Sequence, residues 1–181
     1  VLILLGTRLP RPDDTEQKGK TRPLKEIFSQ PKFLVAVLSA MAGYGVMAMV
    51  MTATPLAMTE ESNHQFSDAA FVIQWHIVGM FAPSFFTGSL IHRYGSVPII
   101  FTGILLNFLC IAINLAGTDV FNYWSSLILL GMGWNFMFVS GTTMVIETYS
   151  PAEKAIVQGV NDFLVFGTAA VSSLLAGVGQ T

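Results

Sequence analysis

The stretch "GSLIHRYGSVP", Gly88 to Pro98, places the basic pair His92 and Arg93 between two glycines, while the sequence on either side is almost entirely apolar. The run before this pair, 69–91, and the run after it, 94–118, contain no Asp, Glu, Lys or Arg. Each run is long enough to cross about 30 Å of hydrocarbon as an α-helix. A short charged connection between two such runs predicts a turn at a membrane surface.

The composition of the whole chain supports a membrane location. The 181 residues are 52% hydrophobic and only 11% charged, whereas about a quarter of the residues in ordinary soluble domains are charged. A soluble core of this size would leave large apolar patches exposed to water. Five spans are predicted, at about 33–58, 69–91, 94–118, 120–146 and 151–179. These runs are too long for strands, so the predicted fold class is an all-α polytopic membrane protein.

The charges of the connections alternate along the chain. Seven of the nine Lys and Arg lie in residues 8–32, the other two are Arg93 and Lys154, and the connections between these carry only acids. The positive-inside rule therefore predicts that the 8–32 linker and the Arg93 and Lys154 connections lie in the cytoplasm, in a multi-pass protein of the cell (inner) membrane. Residues 1–7 are apolar and are predicted to be the end of a preceding transmembrane helix, so we expect the chain to be a piece of a larger protein.

Gly88, Arg93 and Gly95 have the spacing of the signature loop of the major facilitator superfamily, G-x-x-x-D-R-x-G-R-[RK], which this stretch resembles. His92 replaces the acid of that motif, and the terminal basic residues are missing. A degenerate copy that follows a long basic linker resembles the second copy in this family, between helices 8 and 9. The resemblance implies that 33–181 is the carboxy-terminal transmembrane bundle, a partial six-helix bundle containing helices 7 to 11.

Two further stretches resemble helices 10 and 11 of bacterial proton-linked members of the family: "LLGMGWNFMFVSGTT" and "ETYSPAEKAIVQGVNDFLVFG". The resemblance implies secondary active transport of a small organic solute, coupled to protons, by alternating access between two halves. The implied partners are the solute, protons, the lipid bilayer and the missing amino-terminal half. The sequence does not identify the solute or the direction of transport.

The glycine-bracketed connection has a physical interpretation of its own. Gly88 and Gly95 permit a sharp turn, close approach and unusual backbone angles. Arg93 is expected to reach an acid at the end of a neighbouring helix, and Glu147, at the end of the fourth span, is the best candidate. Such a pair would act as a conformational latch that breaks in the other state. Alternatively, Arg93 is a solvated arginine that only fixes the topology.

Asp162 is unusual because it places a carboxyl group deep inside a predicted span. It lies eleven residues beyond Pro151, or about 16 Å along a helix. Charged residues at this depth are costly and usually face a cavity or a partner. Gln158 and Asn161 are close enough in sequence to form one polar patch with Asp162. The two interpretations are proton coupling or substrate contact, and a structural hydrogen bond between helices.

Other polar and aromatic residues in the spans are also candidates for the cavity. The resemblance implies that helices 7, 8, 10 and 11 line it, so Tyr44, His76, Trp134 and Asn135 join Asn161 and Asp162 as candidate substrate contacts. For Tyr44 and Trp134 the alternative is packing within the bundle, and for His76 it is a buried hydrogen bond. His76 is predicted to face the bundle because small residues follow it at helical spacing, while Phe81 is predicted to face lipid.

Signals of other chemistry are missing from the sequence. It contains no Gly-rich phosphate loop, no metal-ligand cluster and no nucleophile elbow, so we predict no metal, no cofactor, no nucleic-acid partner and no enzymatic activity. Two alternatives to a transporter stay open. A membrane-embedded enzyme would need acids, histidines or a nucleophile at one depth, and a non-transporting scaffold or receptor could share the same fold.

Overall fold

The computed structural model of the chain describes residues 21–178. The predicted end of a preceding helix at 1–7, and the linker up to residue 20, lie outside this range. Between residues 21 and 178 the chain forms helices and connections, without a strand. The helices are α1 (Leu24–Phe28), α2 (Pro31–Leu56), α3 (Phe66–Phe81), α4 (Ser84–Tyr94), α5 (Ser96–Ala116), α6 (Val120–Ile146) and α7 (Lys154–Val178).

Five helical stretches are long and apolar enough to cross a membrane, and each corresponds to one predicted span. The all-α polytopic fold class is therefore confirmed. The first stretch is longer than predicted, because a π-helical turn over Ala57–Glu61 continues α2. The last begins at Lys154 rather than 151, because 151–153 form a turn.

α6 is the centre of the bundle and packs against α2, α3 and α5. Three glycines of α6 make these close approaches possible. A β-carbon at Gly131 would lie 2.7 Å from the carbonyl oxygen of His76 in α3, one at Gly133 would lie 2.9 Å from the carbonyl oxygen of Gly103 in α5, and one at Gly141 would lie 2.7 Å from the carbonyl oxygen of Ala36 in α2. Small residues let helix backbones approach closely in membranes, where packing rather than the hydrophobic effect drives helix association.

The second span is interrupted at Pro83. α3 ends at Phe81 and α4 begins at Ser84, because proline has no N–H to continue the helical hydrogen bonds. The Thr87 hydroxyl lies 2.7 Å from the carbonyl oxygen of Pro83, one turn earlier in the chain. α4 then ends at Gly95, whose φ of 85° is a conformation that L side chains rarely adopt.

α7 packs on α2, and the two helices run in the same direction. Tyr44 meets Phe166, and further along both helices the Thr52 hydroxyl donates to the Ser173 hydroxyl at 3.3 Å. The alternating direction of the five spans brings Arg22, Lys25, Lys32, Arg93 and Lys154, which are all the Lys and Arg in residues 21–178, to one end of the bundle. We call this end the basic end.

Candidate functional site

Five aromatic side chains from four helices form one cluster. Tyr44 of α2 lies at its centre, with ring centroids 5.6 Å from Trp134, 5.5 Å from Phe138 and 5.4 Å from Phe166, each in an edge-to-face arrangement. Trp134 stacks on Phe138 at 5.1 Å, and Phe81 of α3 meets Trp134 at 6.4 Å. We call these five residues the aromatic cluster. Edge-to-face and offset-stacked pairs are the arrangements that aromatic quadrupoles favour.

The cluster has a buried side and an open side. Trp134 is buried, and its indole N–H has no hydrogen-bond partner among the described residues. The rings of Phe81 and Phe166 are 59% and 52% exposed, so two aromatic faces are uncovered at the cluster's edge. The prediction that Phe81 simply faces lipid is therefore incomplete, since its ring also contacts Trp134. The cluster joins the predicted residues Tyr44 and Trp134 to Phe81, Phe138 and Phe166, which the sequence analysis did not predict as site residues.

Asp162 lies four residues before Phe166 on α7. Residues four apart in an α-helix lie above one another on the same face, so the carboxyl group is one turn from the aromatic cluster. Asp162 is exposed in the described part of the chain. Because α7 begins at Lys154, the carboxyl group lies eight residues, or about 12 Å, from the start of the helix, rather than about 16 Å.

The predicted polar patch around Asp162 is only partly formed. The Asn161 amide donates to Asp162 Oδ1 at 3.1 Å, while Asn161 itself is buried against α2 and its Oδ1 has no partner within the described residues. Gln158 instead donates to the Tyr149 hydroxyl at 2.7 Å, on the side of the basic end. The structure thus pairs Asn161 with Asp162 and directs Gln158 elsewhere.

Asn135 and His76 both lie in the interface between α6 and the broken second span. The Asn135 side chain donates to Met80 O at 2.8 Å and to Ser84 Oγ at 2.7 Å, and it accepts from the Thr87 hydroxyl at 2.7 Å. All of its hydrogen-bonding groups are engaged by the break at Pro83. This geometry matches a structural role for Asn135.

His76 is completely buried, which agrees with its predicted orientation towards the bundle. Its Nδ1 lies 2.8 Å from Leu127 O, an acceptor, so Nδ1 carries the proton. The other ring nitrogen, Nε2, has no partner among residues 21–178. His76 is not part of the aromatic cluster, and its hydrogen bond fits the structural alternative.

Of the four predicted latch residues, Gly95 and Glu147 line one cavity at the basic end, and Arg93 does not pair with Glu147 in this structure. Glu147 forms an ion pair with Lys32, and the Arg93 guanidinium lies over the ring of Tyr94, 5.2 Å from its centroid. Gly95, Lys32 and Glu147 line one cavity of about 270 Å³ at this end.

The two glycines of the latch behave differently. Gly95 adopts a positive φ and ends α4, as predicted for this turn. Gly88 lies inside α4, and no atom is found within 4 Å of the position that its β-carbon would occupy. The expected close approach at Gly88 is therefore absent, because α4 leaves this side of the helix uncovered in the described residues.

Arg22 and Glu153 form a bidentate ion pair that the sequence did not predict. Arg22 Nε donates to Glu153 Oε1 at 3.0 Å, and Arg22 Nη2 donates to Glu153 Oε2 at 2.8 Å. The guanidinium holds the pKa of the Glu153 carboxyl well below its usual range, and the carboxylate in turn raises the pKa of Arg22. Glu153 stands three residues after Ser150 and also accepts a hydrogen bond from the Ser150 backbone N–H at 2.8 Å.

The fold and the site together define a multi-pass membrane bundle in which aromatic contacts and polar hydrogen bonds join neighbouring helices. The family model for the Major Facilitator Superfamily matches residues 1–173. The chain therefore belongs to the Major Facilitator Superfamily, as the signature loop indicated. No solved structure gave a significant match.

Curated relatives come from bacteria. The chain is 44% identical over 177 residues to the riboflavin transporter RfnT of Brucella anthropi, covering 98% of this chain and 44% of that protein. It is 31% identical over 168 residues to YddS of Bacillus subtilis, an uncharacterized MFS-type transporter, covering 92% of this chain and 38% of that protein. The same organism's YdeG, also an uncharacterized MFS-type transporter, is 33% identical over 135 residues, covering 74% of this chain and 31% of that protein. The chain spans less than half the length of each of these relatives.

Proposed function

We propose that the chain is the carboxy-terminal part of a secondary active transporter that carries a small organic solute across a bacterial inner membrane by alternating access. The family membership and the five apolar helices support this assignment. In this proposal 33–181 corresponds to helices 7 to 11, the basic end faces the cytoplasm, and an amino-terminal half completes the cavity.

The proposed solute is a flat heteroaromatic molecule of the riboflavin type. The single observation that carries this proposal is the aromatic cluster, which presents the half-exposed rings of Phe81 and Phe166 around Tyr44 and Trp134. A planar ring system stacks on such faces and gains more from them than an aliphatic solute does. The riboflavin transporter that is 44% identical to this chain adds support from outside the structure.

We assign proton coupling to Asp162. Its carboxyl group lies one turn from Phe166 and is bound only by the neighbouring Asn161 amide among the described residues. Acidic residues inside membrane spans commonly serve as proton relays, and Asp162 forms no ion pair within the described residues. Asn161 would then hold Asp162 in place, while Gln158, His76 and Asn135 take structural roles.

For the basic end, we propose that Glu147 exchanges partners during the transport cycle. Lys32 holds it in this structure, and Arg93 lies on the connection whose Gly95 lines the same cavity. Arg93 would replace Lys32 as the ion-pair partner of Glu147 when the basic end changes conformation. In a double-mutant cycle of Arg93→Ala and Glu147→Ala, non-additive losses of transport support the exchange, whereas strictly additive losses contradict direct pairing.

The test of the main proposal is riboflavin uptake by the full-length protein in proteoliposomes with and without a proton gradient. We expect uptake that follows the gradient, and we expect Asp162→Asn to abolish the dependence on the gradient. Asp119→Asn, which removes an acid from a connection, is the matched control and should leave the dependence intact. Binding without flux would instead indicate a receptor or scaffold, and chemical conversion of the solute would indicate an enzyme.

A further inference from the structure

The segment 22–32, the end of the linker that the sequence predicts at 8–32, is bound to the connection between α6 and α7. Besides the two bonds that the Arg22 side chain makes with Glu153, its Nη2 donates to Thr148 O at 2.9 Å. The Gln30 amide donates to the same carbonyl oxygen at 3.3 Å. Lys32 pairs with Glu147 at the end of α6. We call residues 22–32 the strap.

The strap also contributes an apolar anchor. Ile27 of the short helix α1 is completely buried and belongs to a core cluster with residues from the basic ends of α2, α5, α6 and α7. A helix at the membrane interface would keep such a side chain at the lipid boundary. Here it is covered by protein, so the strap is held both by polar contacts at Arg22 and by packing at Ile27.

Glu153 has the features of a built receptor for a guanidinium group. It is only 2% exposed, although it is charged. Its carboxylate accepts four hydrogen bonds: from the backbone N–H groups of Arg22 and Ser150, and from Nε and Nη2 of Arg22. The two side-chain bonds form a bidentate fork, the geometry in which arginine recognises carboxylates most strongly. A lysine has one ammonium group and cannot form this fork.

We propose that Glu153 is an intramolecular guanidinium-binding site whose occupation by Arg22 docks the linker on the bundle and controls the exposure of the basic ends of α6 and α7. With Arg22 in place, the strap covers the core cluster and holds the α6–α7 connection. Without the guanidinium, Glu153 keeps only its backbone donors. The α6–α7 connection then also loses the hydrogen bond from Arg22 to Thr148 O. As a result the strap undocks and Ile27 becomes accessible.

The experiment follows strap docking directly and requires no transport activity. In the full-length protein in nanodiscs, Ile27→Cys serves as a reporter for a membrane-impermeant thiol reagent, in a background that lacks other reactive cysteines. Hydrogen exchange of residues 147–157 is followed in parallel, without the reporter substitution. We expect Arg22→Ala to accelerate both labelling and exchange by about tenfold or more, because hydrogen bonds to charged groups are the strong ones.

Lys25→Ala is the matched control, since Lys25 is an exposed cation in the same strap. It should change neither rate by more than about twofold. Arg22→Lys should give intermediate rates because it keeps the charge and loses the fork. The exchanged pair Arg22→Glu with Glu153→Arg should restore part of the protection. Rates that stay unchanged in Arg22→Ala, or that rise equally in Lys25→Ala, would overturn the proposal.

Discussion

Asn135 of α6 donates its side-chain amide to the backbone carbonyl oxygen of Met80, at 2.8 Å, immediately before the point where Pro83 interrupts the second span. The same amide also donates to Ser84, and its oxygen accepts from Thr87, so one side chain holds both sides of the interruption. In a membrane, backbone groups that a proline frees must find partners within the protein. Asn135 of α6 therefore stabilises the interrupted second span.

Replacement of Asn135 by leucine should destabilise the bundle. The substitution keeps the approximate volume but removes the hydrogen-bond partner of Met80 O and of the Ser84 hydroxyl, and a hydrogen bond of this kind contributes about 0.5–1.5 kcal/mol. Ser84→Ala removes one of the three contacts and should cost less. Thermal unfolding of the full-length protein in detergent, followed by size-exclusion chromatography, measures both. If Asn135→Leu melts at the same temperature as the parent, this network does not hold the break.

Gly131→Ala should be poorly tolerated because of backbone contact between α6 and α3. The added β-carbon would lie 2.7 Å from His76 O and 2.8 Å from Met80 N, and neither backbone can move aside locally. Overpacking of this kind costs about 1–3 kcal/mol. Gly88→Ala is the control, since nothing lies within 4 Å of its β-carbon position. Equal melting temperatures for the two variants in detergent would contradict the packing.

The fold was predictable from the sequence because long charge-free runs leave few choices in lipid. The signature loop at Gly88 to Pro98 indicated the family, and the family model confirms it. The exact ends of the helices were harder to predict from the sequence. The last span was predicted to begin at residue 151, whereas α7 begins at Lys154 because residues 151–153 form a turn.

The candidate site could be predicted only in part, because hydropathy does not tell which apolar side chains meet. Tyr44 and Trp134 were singled out by their type, whereas Phe138 and Phe166 are ordinary members of apolar runs until the helices pack. The Arg22–Glu153 pair joins residues 131 positions apart in sequence. A single sequence carries no signal for such a pair, since each residue alone fits a solvated connection.

Docking of the strap should be insensitive to pH across the neutral and mildly acidic range. The depressed pKa of Glu153 means that its contribution is fully present above the ordinary carboxyl pKa and is lost only as pH falls through the lower, folded value. The raised pKa of Arg22 means that its contribution is present below its ordinary pKa and persists to strongly alkaline pH. Hydrogen-exchange protection of residues 147–157, corrected for intrinsic rates, should therefore stay constant between about pH 5.5 and 8. A loss of protection near pH 6 would show that the Arg22–Glu153 ion pair is not the source of this protection.

Phe166→Ala should weaken riboflavin binding by the full-length protein more than Phe163→Ala does. Both rings are on α7, but Phe166 contacts Tyr44 with centroids 5.4 Å apart, whereas Phe163 is 77% exposed and makes no ring contact with another described residue. One aromatic contact is worth roughly 0.5–1.5 kcal/mol, so the dissociation constant should rise about two- to tenfold in Phe166→Ala.

Quenching of flavin fluorescence on titration with protein measures the dissociation constants of both phenylalanine variants. Tyr44→Phe then tests the contribution of the Tyr44 ring separately from that of its hydroxyl group. Tyr44→Phe should bind like the parent, because the three ring contacts of Tyr44 need no hydroxyl group. Since stacking acts on the bound solute in every state of the cycle, Phe166→Ala should raise the KM of uptake more than it lowers the maximal rate. Equal affinities for the two phenylalanine variants would show that the solute does not lie against the aromatic cluster.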